Sequence, residues 1–514
     1  MIKKIIPFFS TLLIGSTLLA QEPSDAIRYS WTQPSGTARS QAIGNAIGSL
    51  GGDLTSAFIN PAGLGLYKTN EFVLTPGYSF SKNKLGYLGT ENTVSKDKFN
   101  FGTTGFVFAA PGSRNGKWKN FTVGIAVNRI ADYNNNEFYQ GSNNQSSYSE
   151  KYLEQLIRNN VTDPNQAATD FPYGASLAFN TYLIDTVQNA GGGVAGYKSL
   201  ATPQSGLSQQ QGIETRGGIT EYAIAMGANL QDKFYFGATL GFSDLRYERN
   251  STYEERDESN NPNNDFNYFI TEEYLKTKGL GINLKLGLIL KPVEQLRVGL
   301  AVHTPTFYNL KDEYTTKITT DVENYGGGGV KSQSSIDFND GYPGDFQYSY
   351  LNPWKFIGGL SYVFRENADV TQQRGFISAD VEFINYRGNK FKDAQADYAN
   401  AGEYFNTLNK SIDETFKSAI NAKIGGELKF NTFMMRGGFA WFSNPYDDIG
   451  FDGSRMNISG GLGWRNKGKF VDLTYVHQII TDGFYPYLLD QGFFAPVTAK
   501  SGVGNILLTV GFKF

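Results

Sequence analysis

The chain has 514 residues, a formal charge of −3 and no cysteine, which excludes a disulfide framework and argues against a nucleic-acid binder. Its 39 Phe, 31 Tyr and 59 Gly favour strands, aromatic girdles and tight interior packing. No linker, charge block or solenoid-length repeat divides it, so one large domain is expected, stabilised by a closed hydrogen-bonded architecture or by the solvent around it.

Lys3 and Lys4 precede an apolar run over residues 5–19, interrupted by Pro7 and Gly15, and small Ala20 is followed by polar Gln21, Glu22 and Pro23. Residues 1–20 therefore read as an export signal cleaved after Ala20. A membrane-spanning helix would want about 20 unbroken apolar residues, and no second run of that kind follows. Residues 38–52, rich in Ala, Gly and Ser, suit threading through a crowded interior. Next comes Asp-Leu-Thr-Ser-Ala-Phe-Ile-Asn-Pro-Ala-Gly-Leu over residues 53–64. Asp53 or Thr55 can cap a short helix there, Pro61 ends it, and Gly63 and Gly65 are expected to let the chain turn sharply into the first strand. This stretch reads either as a plug for the architecture that follows or as a surface helix-turn ahead of a soluble β protein.

From residue 71 onward the dominant signal is period two. Phe72, Leu74, Tyr78 and Phe80 share one face, and Leu280, Ile282, Leu284 and Leu286 another. Trp354, Phe356, Leu360 and Tyr362 repeat the pattern, as do Met456, Ile458 and Leu462. Fourteen such segments are expected, at roughly 70–82, 99–110, 121–140, 212–230, 234–257, 267–290, 295–322, 345–365, 374–391, 421–431, 433–447, 454–467, 469–488 and 499–514. Their connections alternate in length. Residues 231–233, 291–294, 431–432 and 466–468 are tight turns, whereas 141–211, 322–344 and 392–420 are long loops. A soluble sandwich has no reason to sort its loops in this way, and it would not carry Trp, Phe and Tyr toward the ends of its apolar face. The pattern predicts an all-β chain forming a 14-stranded antiparallel transmembrane β-barrel with the N-terminal segment as a hatch in its lumen. The expected divisions are 1–20, 21–68 and 69–514.

The last strand places Ile506, Leu508, Val510, Phe512 and Phe514 on one face and ends on an aromatic residue. With the export signal, the Asn60-Pro61-Ala62 segment and the fourteen strands, the chain resembles the FadL-type family of outer-membrane transporters, which includes TodX-like proteins. Residues 52–64 carry most of the resemblance, supported by Gly299-Leu300-Ala301-Val302-His303-Thr304-Pro305-Thr306-Phe307 and Pro353-Trp354-Lys355. The resemblance implies a hatch inside the barrel marked by Asp53, Asn60, Pro61, Ala62 and Gly63, and passive uptake of long-chain fatty acids or aromatic hydrocarbons. It also implies sideways release of ligand through the wall, a place in the bacterial outer membrane among its lipids, and recognition of the Phe514 strand by the barrel-assembly machinery. The insert 141–211 and the helical loop 394–417 depart from the family.

No nucleophile–base arrangement is apparent, so an enzyme is not expected, nor is a cofactor or metal site. His303 falls on the lumenal face and His477 on the lipid-facing series, which keeps the two imidazoles apart. Lys285, Arg297, Lys355, Asp380, Glu382 and Arg436 fall inward by parity. There they either pair to stiffen the wall or hold a ligand carboxylate, because a cation facing lipid near the midplane would cost about 2–4 kcal/mol. Phe58, Lys285, Arg297, His303, Lys355 and Arg436 are thus the candidate ligand contacts. A bulge is expected around Asn128, Arg129 and Asp132, where the alternation would otherwise aim Arg129 at lipid, and these are the lateral-gate candidates. The loop helices carry apolar stripes, Tyr152, Leu153, Leu156 and Ile157 in one and Phe405, Leu408, Ile412 and Phe416 in the other. They form either a packed lid or a greasy landing site for ligand. The expectation is a monomer passing hydrophobic compounds inward. The alternative is a surface ligand-binding protein, such as a haem-capturing one using His303, or a structural one without transport.

Overall fold

The computed structural model describes residues 22–113, 116–364, 374–394, 401–447, 452–490 and 492–514; the expected export signal lies outside them. The described chain starts with short helices α1 (Pro23–Ser30), α2 (Ala38–Ala42) and α3 (Ser56–Ile59) and a 3-10 turn, Pro61–Leu66. Fourteen strands follow. They are β1 (Glu71–Leu74, continued by Pro76–Tyr87), β2 (Thr90–Phe101 and Thr104–Pro111), β3 (Trp118–Asp132 and Asn135–Asn143), β4 (Leu207–Leu230) and β5 (Phe234–Asp257). Next come β6 (Tyr268–Leu290), β7 (Leu296–His303 and Phe307–Asp321), β8 (Gly344–Leu351 and Lys355–Phe364) and β9 (Gly375–Asn385 and Lys390–Asp393). The last five are β10 (Ser418–Phe430), β11 (Phe433–Phe442), β12 (Arg455–Asn466), β13 (Lys469–Phe484) and β14 (Val497–Lys513). Each strand pairs antiparallel with its sequence neighbours. β14 also pairs with β1, through Phe72↔Phe512 and Tyr78↔Ile506, which closes the sheet into a barrel.

The alternation sorts side chains as the sequence predicts. On β5, Phe234, Phe236, Leu240 and Phe242 point outward at 39–42% exposure while Tyr235, Thr239 and Ser243 are buried inward. The outward face turns polar at Asp244 and Arg246, yet β5 runs on to Asp257, so this side of the wall rises beyond the apolar belt. β10, β11 and β12, with 13, 10 and 12 residues, make a much lower wall.

Four boundaries differ from expectation by five residues or more: β1 runs on to Tyr87 rather than 82, β11 ends at Phe442 rather than 447, and β2 and β4 both start early. β2 starts at Thr90 rather than near residue 99, because residues 90–98 present no apolar face for a periodicity argument to find. It joins β1 through Leu88 and Gly89, with φ of 46° and 83°. Positive φ at both turn residues gives the twist a two-residue hairpin needs, so this connection is tight on the side where the others are long. β4 likewise starts at Leu207, five residues earlier than read, in another polar stretch.

Residues 36–67 are buried or half-buried throughout and are ringed by the wall. Their backbone is held by β14 (Ala38 N–H to Thr509 Oγ1, 2.7 Å), β13 (Thr474 Oγ1 to the Ala38 carbonyl, 2.6 Å), β12 (Ser459 Oγ to the Ala42 carbonyl, 3.1 Å) and β9 (Gly48 N–H to Asp380 Oδ2, 2.7 Å). β7 adds Arg297 Nη1 to the Leu50 carbonyl at 2.7 Å, and β3 adds Asn120 Nδ2 to the Gly65 carbonyl at 3.0 Å. Inward glycines make room for this backbone. A Cβ on Gly237 would overlap the Pro61 carbonyl carbon, and one on Gly287 the Asn60 amide.

Above the barrel, residues 144–206 fold into α4 (Glu150–Arg158), α5 (Pro164–Thr169), α6 (Ala175–Asn180) and a small hairpin, Ile184–Gln188 with Val194–Ser199. Tyr148, Tyr152, Leu156 and Leu177 pack on Tyr253, Phe269 and Ile318 from the rising strands. The Ser147 hydroxyl and the Tyr148 N–H donate to the buried Glu255 carboxylate at 2.5 and 2.7 Å. A last helix, α7 (Ala401–Thr415), seats Phe405, Leu408 and Ile412 against Ala26, Ile27 and Tyr29 of α1, and Phe416 just beyond it joins them. The landing-site reading of the loop stripes is therefore corrected, since all but the exposed Ile157 are spent on packing, Leu153 as a half-buried neighbour of the α4 cluster.

Candidate functional site

Asn60 organises the turn between α3 and β1. Its side-chain oxygen accepts from the Ala62 N–H at 3.1 Å, and its amide nitrogen donates to the carbonyls of Gly48 (2.6 Å) and Leu288 (3.3 Å). One side chain thus caps the turn, ties it to the preceding strand of hatch backbone and docks it on β6. Pro61 occupies the first position of the 3-10 turn and ends α3, as expected. Ala62 is fully buried against Tyr235 and Ile289. Asp53 accepts from the Thr37 hydroxyl (2.8 Å) and the Thr55 N–H (2.9 Å), fastening residues 37 and 53–55 together. The role expected of Gly63 and Gly65 is corrected. Neither has positive φ; a Cβ would instead meet Ser56 Oγ at 2.6 Å in one case and the Ala228 carbonyl oxygen at 2.6 Å in the other. They serve close approach, and the left-handed turns fall at Gly44, Asn45, Gly51 and Gly52.

Four candidate ligand contacts, Phe58, Lys285, His303 and Lys355, converge on one pocket of about 120 Å³ between α3 and the wall. Each polar group there is engaged. Lys285 pairs with Glu221 and donates to Asn283 Oδ1 at 2.9 Å; Lys355 stands 3.7 Å from Glu382; and His303 Nε2 is 2.9 Å from the Ile59 carbonyl. The other two lie elsewhere. Arg297 holds the Leu50 carbonyl, and Arg436, with a fully buried side chain, bridges Glu427 (2.6 Å) and Asp472 (2.5 Å). Arg39 of α2 joins that cluster 3.5 Å from Glu427, so Arg436 is a wall-stiffening ion pair on the hatch rather than a pocket residue.

β3 carries the expected irregularity. Its register on β4 shifts between Arg129 and Ala131, leaving Ile130 as the extra residue of a bulge. Asn128 accepts from the Ser35 hydroxyl at 2.8 Å, and Arg129 turns aside to Asp132 (3.3 Å) and the Gly217 carbonyl (2.5 Å). Below the bulge β3 pairs with β2 over eight rungs, Pro111↔Asn120 to Thr104↔Val127. Above it, among the described residues, β3 pairs only with β4 and residues 90–101 of β2 only with β1. Side chains cross the seam instead. Lys98 Nζ reaches Asp132 Oδ1 and the Asn134 carbonyl, both at 2.9 Å, and Lys96 Nζ reaches Asn136 Oδ1 at 2.8 Å and Glu214 at 3.1 Å. Sequence reasoning missed both lysines. No hydropathy signal could have found them, because residues 90–98 are polar on both faces.

A cavity of about 1060 Å³ lies above residues 33–41, roofed by α4 and the loop after β13, and reaches this seam at Lys98, Asn100, Arg129 and Asp132. Lys151 of α4 lines it with its ammonium 3.6 Å from the centre of the Tyr148 ring, and burial pushes that ammonium down to about 8. Arg455, at the upper end of β12, lies over the Trp31 ring at 3.2 Å.

A closed fourteen-stranded transmembrane barrel, its lumen crossed by an N-terminal segment and its wall interrupted at β3, defines the class. No protein-family model and no curated sequence matches the chain. Among solved structures it is similar to a Pseudomonas aeruginosa FadL homologue at 15% identity and a TM-score of 0.55, over 94% of this chain and 99% of that one. It is also similar to a TodX monoaromatic hydrocarbon channel variant at 13% identity and a TM-score of 0.50, over 93% and 98%. The fold is thus that of the FadL-type barrels.

Proposed function

We propose that this chain is an outer-membrane channel for hydrophobic small molecules, exported by a signal over residues 1–20, with residues 21–68 as hatch and 69–514 as barrel. The carrying observation is the β2–β3 seam, where a lumenal cavity meets a stretch of wall without ladder hydrogen bonds. Ligand collects in the cavity under the α4–α6 cap, is kept from the periplasm by residues 36–67, and leaves sideways past Asn128, Arg129 and Asp132 into the bilayer. Its apolar part never has to cross water, and no chemical step or cofactor is involved. Phe58, Lys285, His303 and Lys355 line a second compartment beside α3, below the cavity. Long-chain fatty acids and monoaromatic hydrocarbons are the substrate classes, the protein works as a monomer, and Phe514 addresses it to the assembly machinery. The barrel reading itself is supported by the similarity to a FadL homologue and a hydrocarbon channel.

Planar-bilayer recordings test it. The intact protein is expected to be silent, and a variant lacking residues 21–68 to conduct ions steadily. Equal, low conductance from both would mean that the segment does not close the lumen. Absence of long-chain fatty-acid and toluene uptake in cells expressing the intact protein would remove the transport reading in favour of a surface ligand-binding protein.

A further inference from the structure

The formal charge of −3 hides a sorting of charge by end. At the end of the barrel with the tight turns, each strand junction carries a cation. Lys68 and Lys513 stand at the β14–β1 junction, Lys117 and Lys119 beside the β2–β3 turn, and Lys467 and Lys469 on either side of Gly468 in the β12–β13 turn. Backbone hydrogen bonds join the other junctions directly. The Lys291 N–H donates to the Lys233 carbonyl at 2.8 Å, and the Lys429 N–H to the Arg374 carbonyl at 2.9 Å. Like charges set side by side on neighbouring strands are destabilising, so the ring is maintained at a cost. Lys513 has the buried Glu71 at 3.4 Å. Lys68, Lys117, Lys119, Lys233, Lys467 and Lys469 are exposed, and none has a carboxylate within 4.0 Å among the described residues. The exposed carboxylates described at this rim are Asp232 and Glu294, which leaves its β12–β3 arc without one. On the rising strands at the other end outward cations are met, Arg246 by Asp244 at 3.0 Å, Lys278 by Glu313 at 3.3 Å and Lys317 by Glu272 at 3.0 Å.

The depth of this ring identifies what meets it. Exposed aromatics share its positions: Trp118 lies between Lys117 and Lys119, Phe234 follows Lys233, and Phe512 and Phe514 flank Lys513. Exposed aromatic side chains of a barrel settle at the border of the hydrocarbon layer, and turns this short lift a side chain only slightly past it. The ammonium groups therefore end level with lipid phosphates, not on a projecting surface that a soluble protein could grip. We propose that the ring binds the head groups of anionic phospholipids in the leaflet facing the periplasm, most tightly on the β12–β3 arc. The inference goes beyond the transport reading and requires no uptake. It concerns how the barrel is seated, with lipid phosphates supplying the counter-charge that the chain omits.

The test is native mass spectrometry of the full chain released from micelles that hold equal amounts of phosphatidylglycerol and phosphatidylcholine with matched acyl chains. Wild type is expected to retain the anionic lipid over the zwitterionic one by about tenfold or more. A variant combining Lys68→Gln, Lys117→Gln, Lys119→Gln, Lys467→Gln and Lys469→Gln should bring that ratio to within about twofold of unity. Lys82→Gln, Lys84→Gln and Lys500→Gln together, which remove exposed cations from the outward face at the other end, should leave it unchanged. Heat-dependent gel mobility verifies that both variants are folded barrels. If the first does not assemble, Lys467→Gln with Lys469→Gln carries the test and should lower the ratio by about threefold. Equal retention of the two lipids by wild type, or the same fall in both variants, would overturn the inference and leave transport standing. Capture of soluble polyglutamate at physiological salt, with no preference between the lipids, would also overturn it and assign the ring to an acidic protein.

Discussion

The two seams of the barrel wall are held together by different forces. Between β4 and β5 every one of the 24 residues of β5 has a rung, from Leu230↔Phe234 to Leu207↔Asp257, and the ladder carries over to β6. Between β2 and β3 eight rungs are followed by none, and lysine side chains span the remainder. A ladder hydrogen bond nets about 0.5–1.5 kcal/mol and acts cooperatively with its neighbours, whereas an ion pair within reach of solvent, as these partly buried ones are, nets about 0.2–1 kcal/mol. The upper β2–β3 seam is therefore the cheapest place to part the wall. The position is also consistent with the rest of the molecule. The continuous side backs the rigid turn of residues 60–66, and the broken side faces residues 33–35, which hydrogen-bond to the bulge itself through Gln33 and Ser35.

The sharpest way to break this comparison is to tie each seam shut. Lys98→Cys with Asp132→Cys, joined by a short bis-thiosulfonate linker, is expected to lower long-chain fatty-acid uptake by about tenfold or more, reversibly on reduction, as a blocked gate should. The same linker between Thr220→Cys and Asp244→Cys, one rung of the β4–β5 ladder, should leave uptake near its starting value. If both cross-links act alike, the seams are functionally equivalent and the exit lies elsewhere.

A second variant attacks the continuous side from within. Gly237→Val has no flexible neighbour to push, because its Cβ meets the Pro61 backbone, and overpacking of this kind costs about 1–3 kcal/mol. The strain should lift residues 60–62 off β5 while the ladder holds. Faster amide exchange over residues 61–66 together with a small ion conductance is the expected readout, and unchanged exchange would mean that the turn is not seated as described. The smallest effect is expected at the seam's own bridges. Lys98→Ala removes one partly exposed pair and should raise uptake by about two- to fivefold, with Asp132→Ala non-additive on top of it, in a double-mutant cycle of uptake rates.

The period-two alternation, the tight turns and the apolar faces of β6, β8 and β12 were readable in the chain because a lipid-facing strand has no other way to satisfy its surroundings. Outward residues must be apolar and every backbone group must be bonded within the sheet. The bulge near Arg129 was readable for the same reason, as the one residue the alternation could not place. Residues 90–98 and the start of β4 were not, since strands that rise into water are free to be polar on both faces. Nor could the chain by itself distribute the cations. Parity puts Lys285, Arg297, Lys355 and Arg436 inward, but it does not say that Glu221 would neutralise Lys285, that Glu427 and Asp472 would both close on Arg436, and that Arg455 would be left to Trp31. Which inward side chain keeps its charge for a ligand is a property of neighbours around the ring and of the segment threaded through it, and those neighbours exist only once the barrel has closed.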